Sequence, residues 1–431
     1  VDRKALPAPG EGDLQKEQYV APRNAVEEKL CALWQSVLKL EQVGVEDNFF
    51  ALGGHSLLAT RLISLIRKEF EIELPLRVLF ESPTVAGLAE VLQESREALV
   101  LPPIGRADRS QPLPLSYAQQ RLWFIDQLEG GSAHYSMPGM FSLEGRLKLR
   151  AFKQAISSII ERHEVLRTRI VLAEGEPQQQ IQERFSLPLT EVDLSSLADE
   201  EQEQEVRRLA QEDARRPFDL SADLMLRVQL LKLSPEEHAV LFNMHHIASD
   251  GWSMGLLCNE FSTLYSAYSR GESNPLAPLK VQYADYACWQ REWLRGTVLE
   301  QQLGYWREQL EGVPAVHSLP LDKARPAQQR FEGSFHHQVL DAELTASLKA
   351  LCQAHDVTLF MLLETAFAVL LSRYSNETDI VIGSPIAGRM HQDTEHLIGF
   401  FVNTLALRVD VSGAPTVGEL LERVKRQTVE A

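Results

Sequence analysis

Residues 244–253 read MHHIASDGWS. The run before them, Ala239 Val240 Leu241 Phe242, is continuously apolar and reads as a buried strand. Side chains alternate along a strand, so His245 and His246 are expected on opposite faces, His246 together with Met244 and Phe242. Asp250 and Gly251 then turn the chain. Histidines on opposite faces neither act together nor chelate, and no third ligand stands at a zinc spacing, so no metal site is expected. An isolated pair of this kind is most often a histidine satisfied by backbone groups at a strand end. The longer string HHxxxDG sets this one apart, and its meaning comes from the segments around it.

The chain has 431 residues, room for two or three domains with real cores. With 44% apolar and 24% charged residues it has the composition of a soluble globular protein. A formal net charge of −17 argues against nucleic acid, because phosphate binding needs a basic footprint. No apolar run reaches membrane-spanning length, and the start, VDRKALPAPG, is charged and proline-rich, unlike a signal peptide. Cys31, Cys258, Cys288 and Cys352 are far apart and form no CxxC, which suits buried or free thiols in a reducing cytoplasm.

Upstream of the histidines the chain divides. Residues 1–20 mix Pro7, Pro9, Gly10 and Gly12 with charges and read as linker. Residues 21–97 form a small helical unit. Val26, Leu30, Leu33 and Val37 make one helical stripe, and Leu58, Leu62, Leu65 and Ile66 a second. A short third helix is expected near Leu76 and Leu79, and Thr84 caps a fourth bearing Val85, Leu88 and Leu92. Four such helices make a bundle. Ser56 stands where Gly53 and Gly54 give way to the second helix, a place where serine is usually a plain cap. Residues 98–112 hold Pro102, Pro103, Gly105 and Pro112 and read as an interdomain linker, about 50 Å long if extended.

From Leu113 a mixed α/β pattern begins. Ser116 and Gln119 form a capping box that opens the helix of SYAQQRLWFIDQLE. Phe152, Ile156, Ile159 and Ile160 come next at helical spacing, and RHEVLRTRIVL passes from helix to strand, with His163 a fold residue. Residues 197–216 form a solvated helix rich in Glu and Arg. Beyond the histidines, Tyr283 to Trp289 lie on a helix. Thr358–Tyr374 is a helix with Leu359, Leu362, Leu363, Ala366 and Leu370 on one face. Asp379–Ser384 is a buried strand, followed by Arg389 and by IGFFVNT at 398–404. A second pair, His336 and His337, has no DG after it and reads as surface strand.

MHHIASDGWS, with SYAQQRLW, RHEVLRTR, YADYA and IGFFVNT, resembles condensation domains of nonribosomal peptide synthetases. Asp47 Asn48 Phe49 Phe50 and the string LGGHSL at 52–57 resemble peptidyl carrier proteins, and VDRKALP resembles the stretch just behind the last motif of an adenylation domain. The resemblance implies 1–20 as a post-adenylation linker, 21–97 as a four-helix-bundle carrier and 98–112 as interdomain linker. It implies 113–285 and 286–431 as two chloramphenicol-acetyltransferase-like lobes meeting in a V. The family's last motifs are expected beyond residue 431, and the chain is expected to be cut from a longer protein. HQD at 391–393 looks like one of those motifs but stands in the wrong order and is read as coincidence.

In that family the second histidine faces a tunnel where two substrates meet, which implies His246 as the catalytic residue. His245, Asp250 and Gly251 are then structural, with Arg389 the expected ion-pair partner of Asp250. Ser56 is expected to carry 4′-phosphopantetheine, attached by a phosphopantetheinyl transferase. An upstream adenylation domain and a downstream acceptor carrier are the expected partners, with neither nucleic acid nor membrane. The reaction implied is amide formation between a donor thioester and an acceptor amine, in the subgroup that joins two L-residues. An epimerisation domain, which shares HHxxxDG, and a non-catalytic docking platform stay as alternatives.

Overall fold

In the computed structural model of the chain, the described residues are 19–54, 56–70, 74, 77–94, 101–326 and 336–431. The linker expected at 1–20 lies outside them apart from Tyr19 and Val20, and so does His55.

The first unit is the expected bundle. Helix α1 (Ala25–Leu38) starts where the Asn24 side chain accepts from Val26 and Glu27 N–H at 3.0 and 2.9 Å. Its stripe of Leu30, Cys31, Trp34 and Val37 is buried in a core shared with α2 (Ser56–Phe70), α3 (Arg77–Glu81) and α4 (Val85–Glu94). Thr84 Oγ1 accepts from Gly87 N–H at 3.1 Å and so caps α4, as its sequence position suggests. In the loop before α2, the Asn48 side chain accepts from Phe50 and Ala51 N–H, which drives Phe49 inward, edge-on to Trp34 at 5.1 Å. The Phe49 ring then covers Gly54 so closely that a Cβ there would lie 2.4 Å from it. The glycine is a packing requirement.

The second unit opens with β1 (Leu113–Pro114), α5 (Tyr117–Glu129), β2 (Ser136–Glu144) and α6 (Leu149–Arg162). Then come β3 (Thr168–Ala173), β4 (Glu176–Ile181), β5 (Leu189–Asp193), α7 (Asp199–Arg215), β6 (Leu226–Lys232) and β7 (Glu237–His245). The main sheet has the order β2-β7-β6-β5, and a smaller one runs β1-β4-β3. Strand β7 is interior and covered on both faces. Ala239 and Leu241 pack towards α7, while Val240, Phe242 and Met244 pack into the core under α6 and α8 (Gly251–Ser269). That is why the run before the histidines is apolar without alternation.

The chain continues through α9 (Tyr283–Trp293), α10 (Thr297–Gln309), α11 (Ala342–Ala354) and α12 (Leu359–Ser375). Strands β8 (Asp379–Ile386) and β9 (Asn403–Asp410) pair antiparallel, and α13 (Val417–Glu430) covers them.

Four expectations need correction. Residues 101–112 are not a free tether. Ile104 is buried, the Trp289 indole donates to Pro102 O at 2.7 Å, and Ala107 N–H and Arg109 both bind Asp285 Oδ1 at 2.8 and 2.7 Å. The lobe boundary set at 285/286 falls inside α9, so no break in the chain lies there. Helix α12 exists, capped by Thr358, but it buries Met361, Leu362, Thr365 and Ala368, leaving Leu363 and Leu370 at 49% and 50% exposure. Its apolar residues wrap too far round for spacing to choose the buried side. His336 and His337 lie in exposed irregular chain, not in a strand.

Candidate active site

Strand β7 stops at His245, whose N–H donates to Met225 O at 3.2 Å. His246 opens a single 3₁₀ turn, and its N–H donates to Tyr135 O at 2.8 Å. Strand alternation therefore ends before His246. Phe242 and Met244 are buried, while His246 is only partly buried. The two histidines do have opposed surroundings, but a change of backbone conformation produces them.

Hydrogen bonds assign opposite tautomers. His246 Nδ1 lies 2.8 Å from Ser249 O. A carbonyl only accepts, so Nδ1 carries the proton and the lone pair of the neutral ring is on Nε2. The ring stands edge-on to Phe400 at 4.8 Å. In His245 the order is reversed, since Nδ1 accepts from Ile247 N–H at 3.0 Å. His245 Nε2 has no hydrogen-bond partner, and Phe218 closes over the ring at 5.7 Å. Burial, with the neighbouring charges of His246 and Arg227, pushes His245 down to about 4.

Asp250 caps α8 and does more than turn the chain. Its Oδ1 accepts from Ser253 N–H at 2.8 Å and Ser253 Oγ at 2.7 Å. Its Oδ2 accepts from Phe401 N–H at 3.2 Å. Arg389 Nη2 reaches Oδ1 at 3.1 Å, so the expected ion pair is present and deeply buried. Arg389 also donates to the carbonyls of Thr394 and Leu397, and its guanidinium lies 4.0 Å from the Phe401 ring centre. Burial lowers its pKa, and Asp250 resists that. Gly251 is the exposed first residue of α8, and a Cβ there would meet open space. The cap makes the turn, and nothing in the backbone demands glycine at 251.

Other residues complete the site, and spacing alone did not reveal them. Ser253 Oγ accepts from Gly399 N–H at 3.1 Å and from Arg389 at 3.0 Å. The Tyr283 hydroxyl donates to Phe400 O at 2.5 Å and meets Ser116 Oγ at 2.8 Å. His163 is fully buried, with Nε2 2.8 Å from Glu260 Oε2 and Nδ1 accepting from Ile398 N–H at 3.3 Å. The strings SYAQQRLW, RHEVLRTR, YADYA and IGFFVNT thus meet around the segment 398–401. Their presence as strings was the available signal; their mutual contacts were not readable. Two cavities of about 360 and 870 Å³ indent the same lobe, and His246 lines neither.

Ser56 is the first residue of α2. Gly53 ahead of it has φ +95°, with open space where a Cβ would stand. The N-terminus of α2, with its free N–H groups, is a backbone setting that suits the phosphodiester of 4′-phosphopantetheine. Among the described residues, no group of three or more His, Cys, Asp or Glu is placed to hold a metal, and no single helix is long and apolar enough to cross a membrane.

Residues 28–92 match the family model described as phosphopantetheine attachment site, and residues 109–431 the model of the condensation domain. The chain is 49% identical over 436 residues to a linear gramicidin synthase polypeptide of Brevibacillus parabrevis, covering 100% of this chain and 8% of that protein. It is 41% identical over 433 residues to tyrocidine synthase 3 of the same organism, covering 100% of this chain and 6% of that one. The X-domain from teicoplanin biosynthesis superposes with a TM-score of 0.70 at 30% identity, over 76% of this chain and 72% of that one. The first condensation domain of the calcium-dependent antibiotic synthetase shares the fold, with a TM-score of 0.63 at 22% identity over 74% of each chain. The chain thus spans under a tenth of these curated relatives, and within that span it belongs to the nonribosomal peptide synthetase family as a phosphopantetheine carrier followed by a condensation domain.

Proposed function

We propose that this chain joins a donor acyl group carried at Ser56 to the amine of an acceptor, with His246 as the catalytic residue. Residues 21–97 are the carrier, and 113–431 the catalytic unit. The observation that carries the reading is the His246 tautomer: Nδ1 is fixed on Ser249 O, so Nε2 is left as the acceptor on the partly open side.

Bound at Ser56, 4′-phosphopantetheine supplies the thiol that holds the donor as a thioester, already activated towards amines. As the amine nitrogen bonds to the thioester carbonyl carbon and the carbon–sulfur bond breaks, His246 Nε2 would take the proton that the nitrogen loses and pass it to the departing sulfur, leaving a free thiol on the arm. A free α-amine has a pKa of about 7.7–8.0, so roughly a tenth is neutral at pH 7. Exposing the nucleophile therefore costs only about 1.4 kcal/mol. A positioned base contributes about 10²–10⁴-fold, while alignment of two reactants can supply about 7–11 kcal/mol. Placement outweighs proton transfer here. His245, Asp250 and Arg389 are positioning residues that fix the turn presenting His246.

The partners this reading requires are an acceptor carrier, an adenylation domain that loads Ser56 and a phosphopantetheinyl transferase, all in the cytoplasm. A docking platform is the second reading. It draws on the likeness to the X-domain, one of whose structures is a complex with OxyB; that match has a TM-score of 0.70 at 30% identity. The test loads Ser56 with a donor, adds an aminoacyl acceptor and looks for the new amide by mass. An amide supports condensation, a change at Cα alone supports epimerisation, and no product supports the platform.

A further inference from the structure

The segment 389–397 has two faces. Its inner face belongs to the active site. There Arg389 holds Asp250, and Glu395 O accepts the Trp252 indole N–H at 3.0 Å. Its outer face meets the carrier. Met390 O accepts from Arg67 Nη1 at 2.8 Å. Arg67 is aimed there by its own domain, because its Nε and Nη2 are both fixed on Leu74 O at 3.0 and 2.7 Å. The Glu395 carboxylate is raised by burial, and Ser64 and Arg61 of the carrier oppose that rise. Arg61, Ser64 and Arg67 are three residues apart in turn and share one face of α2.

The carrier makes a second contact with the same unit. Phe80 on α3 stacks on Phe50 at 5.0 Å and packs against the cluster of Met361, Leu362, Leu420 and Leu421 in the C-terminal lobe. An aromatic anchor together with an oriented arginine is the composition of an interface hot spot. Helix α2, which sits on the segment, begins at Ser56.

We propose that residues 389–397 and the cluster of Met361, Leu362, Leu420 and Leu421 are together the seat of the chain's own donor-bearing carrier, which docks Arg67 on the first and Phe80 on the second and shields the segment that holds the Asp250–Arg389 pair. The proposal rests on the reading of Ser56 as the donor site. Tethering makes modest contacts sufficient, since a short linker gives an effective concentration on the order of millimolar.

The test uses the full chain with Arg67→Glu and Phe80→Ala, separately and together. Uptake of one pantetheine phosphate at Ser56, by intact mass, reports that the carrier is folded. Two quantities are then compared with wild type. The first is the rate of amide formation from an L-aminoacyl donor on Ser56 divided by the rate from the same donor as a soluble N-acetylcysteamine thioester, with an amino acid amide as acceptor. The second is hydrogen exchange at the amides of Thr394 and Leu397, both hydrogen-bonded within the segment. The seat requires the rate ratio to fall at least tenfold and exchange to quicken at least tenfold in the double variant. A ratio within twofold of wild type, or unchanged exchange, overturns it. If exchange quickens while wild type makes no amide from either donor, the reading of the reaction fails and the seat stands.

Discussion

Arg389 Nη2 lies 3.1 Å from Asp250 Oδ1 and 3.3 Å from Oδ2, joining residues 139 apart in sequence, and both side chains are 1% exposed. The pair ties the turn after His246 to the segment running on to Phe401. Removing one partner strands a charge in a dry site. We expect Arg389→Ala or Asp250→Ala to cost about 3–5 kcal/mol in urea unfolding. The double variant should cost less than the sum of the two. Strict additivity would show that the two groups are not coupled.

The histidines separate by readout. His246 is partly exposed and bonded through one nitrogen, so His246→Ala should leave the melting temperature within a few degrees while lowering amide formation about 10²–10⁴-fold. His245 is packed by Phe218 and accepts a backbone N–H, so His245→Ala should lower the unfolding free energy by about 2 kcal/mol or more. Wild-type turnover of His246→Ala removes that residue from the mechanism.

Much of this arrangement was legible in the residues, and the illegible part has a physical pattern. Capping boxes, the carrier's helical stripes and the doubly buried β7 obey local rules, and the structure keeps them. What spacing could not supply were decisions made by distant chain. Residues 101–112 look like linker because they are rich in proline and charge, yet Asp285 and Trp289 bind them down. Helix α12 carries apolar residues on several sides, so only its neighbours select the buried one. Periodicity placed His246 on the wrong local geometry, because a strand gives no sign of where its last residue is. Ser253 was invisible for the same reason: its partners, Arg389 and Gly399, lie more than a hundred residues away.

Two glycines near the site should respond in opposite ways. A Cβ at Gly399 would stand 2.1 Å from the Tyr283 ring, which is fixed by hydrogen bonds to Ser116 and Phe400. Gly399→Ala should therefore cost about 1–3 kcal/mol through overpacking. Gly251→Ala meets nothing and should leave unfolding unchanged within about 0.5 kcal/mol. Equal losses would mean that Gly251 is held by something other than its cap.

Glu364 gives the C-terminal lobe a pH dependence of known sign. Burial between α12 and α13 pushes its carboxyl up to about 7, the Thr428 hydroxyl being its hydrogen-bond donor at 3.3 Å. The folded state then binds this proton more tightly than the unfolded chain does. The stability it contributes is complete below the unfolded value near 4.5 and is lost as pH rises through about 7. Glu364→Gln keeps the shape and cannot ionise. Its stability relative to wild type should rise between pH 5 and 8, by an amount on the order of 3 kcal/mol at the upper end. A pH-independent difference would place the carboxylate in water.

The donor is expected to be L-configured at the residue next to the thioester. MHHIASDGWS resembles condensation domains that join two L-residues. Only about fifteen residues of sequence separate the carrier from Leu113, too few for a domain that would invert Cα, and among them Pro102, Arg106 and Ala107 are bound to Trp289, Lys280 and Asp285. In the proposed reaction a donor on Ser56 would meet His246 with its Cα configuration unchanged. A site lined by L-residues separates the two configurations sterically at the thioester, and misplacing the reacting carbon by about 1 Å can cost about 10²-fold. With Ser56 loaded with the L- or the D-form of one donor and the same acceptor, the L-form should react faster by about 10²-fold in initial rate. A faster D-form would overturn the assignment and require an upstream step that supplies the D-residue.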